Sequence, residues 1–149
     1  MTGAEVLEVT VHIAATPDTV FPYFIDPDRY VQWMGDRAML NAVPGGVFRV
    51  RMLDGVEAAG EFVEVDPPRR VVFTWGWTHG VAVAPGSTRV VVTLEAENGG
   101  TRVVLRHYGL PDDELRAHHR KGWEMYLDRL RGRLHGADPG AALEADPNA

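Results

Sequence analysis

One long amphipathic helix near the end of the chain constrains the fold more than any other feature of the sequence. The segment from Pro111 to Leu134 predicts it, because one face carries mostly apolar residues at helical spacing and the opposite face carries charged ones. The apolar face consists of Leu115, His119, Gly122, Trp123, Tyr126, Leu130 and Leu134. We therefore expect this face to lie on an antiparallel sheet formed by the preceding part of the chain.

Gly122 is the unusual member of that face. A glycine inside a helix costs ~1 kcal/mol relative to alanine, so its presence needs a reason. Either the helix approaches the sheet closely at Gly122, or space is left there for a ligand beside Trp123.

Composition limits the classes of function. A chain of 149 residues with 45% hydrophobic residues is long enough to form one domain with its own core. With no cysteine, disulfides, thiol nucleophiles and cysteine metal sites are excluded. The net charge of -6 argues against binding to nucleic acid or to an anionic membrane, since both rely on a basic surface.

The sequence also bears on location. The N-terminal residues lack the basic and continuous apolar regions of a secretory leader, and no apolar run approaches the ~18 residues needed to cross a membrane. We therefore expect a cytoplasmic protein that does not insert into membranes.

The rest of the chain has the pattern of strands and two short helices. Capping residues and prolines at Thr16-Pro17 and Asp26-Pro27 predict two short helices after the first strand. Asp54-Gly55 and Asn98-Gly99 predict hairpin turns. Alternation of apolar and polar residues predicts strands over 6–13, 47–52, 56–65, 71–77, 88–94 and 101–107. With these short, sequential connections we expect a meander, in the order strand, two short helices, six strands, long helix; the ranges above account for five of those six strands.

This ordered set of motifs resembles the helix-grip superfamily that includes START domains, the major birch-pollen allergen and polyketide cyclases. Within it, the sequence is most similar to the branch named after the activator of heat-shock protein 90 ATPase. The motifs that carry the resemblance are Ala15-Thr16-Pro17 with Val20-Phe21, Asp26-Pro27 before Trp33-Met34-Gly35, Pro44-Gly45-Gly46 with Phe48, Gly60-Glu61 with Pro67-Pro68, Phe73-Thr74-Trp75, Ser87-Thr88, His107 before Gly109-Leu110, and Gly122-Trp123.

The resemblance covers residues 5 to 134 and implies an α+β helix-grip fold. In this fold a curved antiparallel sheet of about seven strands wraps around the long C-terminal helix. We expect one START-like domain over residues 1–134 and a mobile tail over 135–149, in which Leu143 is the one large apolar residue. The superfamily contains lipid carriers, hormone receptors, cyclases and co-chaperones, and its members often form homodimers. The resemblance therefore implies the fold more strongly than the function.

Aromatic and apolar residues form a candidate wall between sheet and helix. Such a wall suits a flat or fatty ligand held mainly by contact area, although these side chains could equally fill the core themselves. The candidates for ligand binding are Trp33, Met34, Phe48, Met52, Phe73, Trp75, Trp77, His107, His119, Trp123 and Tyr126.

A few polar residues are candidates for a catalytic role. His107 has an inward-facing strand position and could orient a ligand or transfer protons, although a histidine in such a position is more often a bonded core residue. Gly60 could bend its strand and turn Glu61 inward, but a solvated Glu61 is the simpler interpretation. His118 and His119 lack the HExxH-type spacing of a zinc site.

The sequence also lacks the motifs of serine nucleophiles and of phosphate-binding loops. Ser87 is the one serine, and no GxSxG motif is present. Gly45-Gly46 and Gly99-Gly100 lie in turns and lack phosphate-loop spacing. We expect no cofactor, no metal and no catalytic residue that the sequence alone can name.

Three functions remain. We favour a carrier or sensor of a small hydrophobic or aromatic molecule, without catalysis. The first alternative is an enzyme resembling the polyketide cyclases and dehydratases, with His107, Glu61 or Tyr126 transferring protons. The second is a chaperone-associated interaction module, which the family resemblance implies.

Overall fold

A seven-stranded antiparallel sheet curves around one long helix in the computed structural model, which describes residues 6–80 and 82–135. The α+β helix-grip fold is therefore confirmed. The elements in chain order are β1 Leu7–Ile13, α1 Pro17–Val20, a 3₁₀ turn Phe21–Phe24, α2 Pro27–Tyr30, β2 Arg37–Leu40, β3 Val47–Arg51, β4 Glu57–Asp66, β5 Arg70–Trp75, β6 Thr88–Glu97, β7 Gly100–Tyr108 and α3 Asp113–Leu134. The predicted tail beyond His135, with Leu143, lies outside the described residues.

The strand order is β1-β7-β6-β5-β4-β3-β2. Strands β2 to β7 form the predicted meander, with each strand antiparallel to the next. Strand β1 departs from it and pairs with β7, placing Leu7 opposite His107 and Ile13 opposite Thr101. This pairing joins the first and the last strand of the chain and leaves β1 and β2 as the sheet edges.

Strand β2 was not predicted from the sequence. It has four residues, Arg37 to Leu40, and is an edge strand. Its residues are exposed or only half-buried, so the sequence carries neither a β-branched run nor a clear inside-outside alternation.

The two predicted hairpins are present. In the turn between β3 and β4, Gly55 has a φ of 92° and the Asp54 carboxylate accepts a hydrogen bond from the Val56 amide over 3.1 Å. In the turn between β6 and β7, Asn98 and Gly99 have φ values of 50° and 77°, the left-handed pair that a two-residue hairpin favours.

Helix α3 begins two residues later than predicted, because the Asp112 side chain caps it by accepting from the Leu115 amide over 2.8 Å. Its buried residues include Leu127, which the predicted apolar face omitted. The buried set is His119, Trp123, Leu127, Leu130 and Leu134. The helix packs against β1, where Arg120 donates to the Glu8 carbonyl over 2.9 Å.

The glycines that allow close backbone approach are in the sheet. A Cβ at Gly60 would lie 2.0 Å from the carbonyl oxygen of Thr74, so this position of β4 admits no side chain. The register shift of β4 falls between Phe62 and Glu64, and Glu61 is exposed. The idea that a bulge at Gly60 turns Glu61 inward was therefore wrong, and the simpler interpretation of Glu61 is correct.

Within the described residues, none of the helices combines the length and the apolar character needed to cross a membrane.

Candidate functional site: a cavity between sheet and helix

A cavity of about 860 Å³ lies between the sheet and α3. Its wall comes from Met34 after α2, the turn between β3 and β4, the end of β5 with the loop that follows, and α3 from Leu115 to Tyr126. The lining residues are Met34, Met52, Leu53, Asp54, Val56, Trp75, Trp77, His79, Gly80, Ala82, Val83, Leu115, His118, His119, Lys121, Gly122, Trp123, Met125 and Tyr126.

Gly122 lies in this wall, and a Cβ built on it meets no heavy atom within 4 Å. Of the two explanations offered for this glycine, close approach of helix and sheet is wrong. The space beside Trp123 is real, and it is part of the cavity.

The cavity brings together a subset of the candidate ligand-binding residues. The candidates that line it are Met34, Met52, Trp75, Trp77, His119, Trp123 and Tyr126. Trp33, Phe48, Phe73 and His107 do not line it and lie in the core.

Trp33 and the two phenylalanines fill the core with their own rings. The rings of Phe48 and Phe73 stack with centroids 4.2 Å apart and an angle of 15°. The Trp33 indole donates to the Tyr23 carbonyl over 2.9 Å and packs edge-on against Phe24. For these residues the alternative that side chains fill the interior is correct.

His107 is completely buried, and both of its ring nitrogens are bonded. Its Nδ1 lies 3.0 Å from Nε1 of Trp123, and its Nε2 lies 2.8 Å from the Thr88 hydroxyl, which in turn donates to the Trp75 carbonyl. An indole N–H can only donate, so Nδ1 accepts and the neutral ring carries its proton on Nε2. Burial, together with the nearby His119, lowers the pKa of His107 to about 3.

His119 projects from α3 into the wall and bonds a second tryptophan. Its Nδ1 lies 2.8 Å from the Leu115 carbonyl and its Nε2 lies 3.1 Å from Nε1 of Trp77. These partners require Nδ1 to donate and Nε2 to accept. Burial lowers the pKa of His119, against the opposing effect of its bond to Leu115. Both histidines are therefore held neutral near pH 7.

Trp75 is the exception among these bonded rings. It is 2% exposed and lies between the rings of Trp77 and Trp123, with centroids 5.2 and 5.0 Å away. Its Nε1 is the one buried side-chain nitrogen or oxygen of residues 6–80 and 82–135 that has no hydrogen-bond partner.

The outer part of the wall is formed by residues that sequence reasoning did not select. Leu53 and Met125 are 68% and 52% exposed, so the cavity reaches the protein surface on their side. Leu53 adjoins the Asp54-Gly55 turn signal. Met125 lies outside the predicted apolar face of the helix, so periodicity gave no indication of it.

The chemistry of the wall is mostly apolar. The Tyr126 side chain is half-buried, and its hydroxyl lies 3.9 Å from the Met52 sulfur. Burial raises the pKa of Tyr126, so the phenol stays protonated near neutral pH. Among the described residues, no group of three or more histidine, aspartate or glutamate side chains could hold a metal ion.

Comparison with solved structures places the chain among known folds. An AHSA1-like protein from Rhizobium etli is 36% identical, with a TM-score of 0.70, and the match covers 97% of this chain and 88% of that protein. DynU16, a protein of the dynemicin biosynthetic locus, is 27% identical with a TM-score of 0.77; the match covers 92% of this chain and 49% of DynU16. This chain thus spans about half the length of DynU16.

The Aha1 dimer from Colwellia psychrerythraea shares the fold, with 18% identity, a TM-score of 0.76 and coverage of 87% of this chain and 95% of that protein. A comparison with curated protein sequences finds no match. The family described as activator of Hsp90 ATPase homolog 1-like protein matches residues 14–135, which is most of the chain. The chain is therefore a member of the activator of Hsp90 ATPase homolog 1-like family.

Proposed function

We propose that the protein binds a small hydrophobic or aromatic molecule in the cavity between sheet and α3, as a carrier or sensor without catalysis. The observation that carries the proposal is the cavity of about 860 Å³. This volume lies within the ~300–1,000 Å³ of ordinary ligand sites, and such sites are likewise mostly apolar with a few polar groups.

The residues of the wall support an apolar occupant. The rings of Trp75, Trp77 and Trp123 offer flat contact surface, while Met34 and Met52 have flexible side chains that adapt to ligand shape. The exposed Leu53 and Met125 add apolar surface on the solvent side.

The enzymatic alternative depends on His107, and the geometry around that residue does not favour it. A general acid or base must reach the reacting atom. His107 does not line the cavity, and its nitrogens are bonded to Trp123 and Thr88. Glu61, the second candidate, is exposed on the sheet. Of the three proposed groups only Tyr126 lies in the wall.

Titration of tryptophan fluorescence with a panel of fatty acids, sterols, polycyclic aromatics and aromatic ketones tests the proposal. We expect at least one class to give a saturable change. In Gly122→Leu the new side chain would occupy the cavity, so binding should be lost. Gly132→Leu is the matched control, since it changes another α3 glycine with open space around it that does not line the cavity.

No response to any class by the wild type would overturn the proposal. Equal binding by Gly122→Leu and the wild type would also overturn it.

Homodimer formation stays a prediction. Its support is the family and the dimeric Aha1 from Colwellia psychrerythraea. Light scattering across a concentration series would test it, and a single mass equal to that of the 16.4 kDa chain at every concentration would contradict it.

A further inference from the structure

The four tryptophans differ in what their indole N–H groups contact. Three of them donate to protein acceptors, whereas Trp75 has no partner among the described residues. The three pairs are Trp33 to the Tyr23 carbonyl at 2.9 Å, Trp77 to His119 Nε2 at 3.1 Å, and Trp123 to His107 Nδ1 at 3.0 Å.

The lack of a partner for Trp75 is not explained by its neighbours. A buried donor without an acceptor is destabilising, and in folded proteins such a group often marks a place that a water or a ligand completes. The ring nitrogens of His107 and His119 cannot serve as its acceptors, because all four of them are already bonded.

Trp75 also lines the cavity, so a molecule bound there lies against its ring. Less than 1 Å² of Nε1 is exposed, so an acceptor reaches it only when a neighbouring side chain moves. Of the two tryptophan rings beside Trp75, that of Trp123 is buried, whereas that of Trp77 is half-buried and meets Trp75 edge-on with centroids 5.2 Å apart. Trp77 is therefore the ring that moves more easily, and its movement would break the bond from its Nε1 to Nε2 of His119.

We propose that the ligand of the cavity is an apolar molecule that carries a neutral oxygen acceptor, such as a ketone, ester or ether, and that this oxygen accepts a hydrogen bond from Nε1 of Trp75. This inference rests on the proposed function and adds the chemical class of the ligand. A neutral acceptor fits better than an anion, because burying a charge without a counter-ion is strongly unfavourable. The charged residues of the wall are Asp54 and Lys121, and both are exposed.

Pairs of ligands with the same shape separate the hydrogen bond from the apolar contact. Each pair contains a ketone and the alkene in which a methylene group replaces the oxygen: acetophenone and α-methylstyrene, 2-acetylnaphthalene and 2-isopropenylnaphthalene, 2-undecanone and 2-methyl-1-undecene. Without a hydrogen bond the more apolar alkene should bind more tightly. If the hydrogen bond to Trp75 forms, we expect the ketone of a binding pair to bind the wild type at least about 5-fold more tightly than its alkene.

The indole ¹⁵N–¹H spectrum of the wild-type protein gives the direct readout, with four expected signals. We expect the ketone, and not its alkene, to move the Trp75 proton signal downfield, while the Trp33 signal stays in place. In Trp75→Phe the preference for the ketone should disappear. The wild-type spectrum is decisive even if Trp75→Phe fails to fold.

Two outcomes overturn the inference. In the first, both members of a pair bind and shift the Trp75 signal equally. This result would leave the proposed function intact and would place the N–H of Trp75 against a neighbouring ring face. The second is no binding by any pair or by the fluorescence panel, which would remove the proposed function as well.

Discussion

Trp123 on α3 donates a hydrogen bond from Nε1 to Nδ1 of His107 on β7, over 3.0 Å. This bond joins the long helix to β7, the neighbour of the edge strand β1, beside the cavity that Trp123 lines. It also fixes the proton of the neutral His107 on Nε2, which points to the Thr88 hydroxyl on β6. The bond thus belongs to a buried chain that runs through Thr88 to the Trp75 carbonyl.

Removing the Thr88 hydroxyl should destabilise the fold. Thr88→Val keeps the shape of the side chain but leaves both the His107 N–H and the Trp75 carbonyl without their partner, which should cost about 1–3 kcal/mol. Urea unfolding measures the loss. Thr93→Val on the same strand is the matched control, since Thr93 is half-buried on the outer face and should change stability by less than ~0.5 kcal/mol. Equal losses in the two variants would show that the buried chain adds no stability.

Acidification should weaken the fold through His107. Its pKa is about 3 in the folded protein and ~6.5 in an unfolded chain, so the unfolded state binds the extra proton between these values. The stability from neutral His107 is complete above the unfolded pKa and is lost as pH falls toward 3. The free energy of unfolding should therefore decrease by about 1.4 kcal/mol per pH unit within this window from His107 alone.

Comparison with His107→Gln isolates that contribution. Carboxylates also titrate in the lower part of the window, so the difference between wild type and variant is the quantity to follow by urea unfolding from pH 7 to pH 4. A wild-type slope no steeper than that of His107→Gln would mean that the buried imidazole does not resist protonation.

Replacing glycine by alanine should have opposite effects on the stability of the protein at Gly60 and at Gly122. Gly60→Ala would place a Cβ 2.0 Å from the Thr74 carbonyl oxygen, and the resulting separation of β4 and β5 should cost more than ~2 kcal/mol. Gly122→Ala meets no atom within 4 Å and replaces a poor helix former, so it should stabilise the protein by ~0.5–1 kcal/mol. Thermal and urea unfolding of both variants measure this, and a loss of stability in Gly122→Ala would contradict the open space at that position.

The sequence predicted most of the fold, because its local signals were strong. The hairpin turns at Asp54-Gly55 and Asn98-Gly99 and the amphipathic face of α3 each depend on neighbouring residues. Strand β2 lacked such a signal, since a short edge strand with little burial needs no apolar alternation.

The site was only partly predictable. Trp75, Trp123 and Met52 were selected because large apolar side chains shared the inner face. The same criterion selected Phe48 and Phe73, which stack on each other in the core. Periodicity assigns a side chain to a face of the sheet but does not distinguish the packed part of that face from the part that faces a cavity.

The partner of a polar side chain is also a tertiary property. His107 is bonded by Thr88, 19 residues away, and by Trp123, 16 residues away. No spacing rule in the sequence links these three residues. The unpartnered indole of Trp75 is likewise visible only once the surrounding rings are in place.

Native mass spectrometry of the wild-type protein, purified without detergent, tests the central claim most directly. We predict a second species of higher mass that carries one small molecule per chain, present in wild type and in Gly132→Leu and absent in Gly122→Leu. A wild-type protein that shows only the mass of its own polypeptide would contradict ligand binding in the cavity, and so would an adduct of equal intensity in Gly122→Leu.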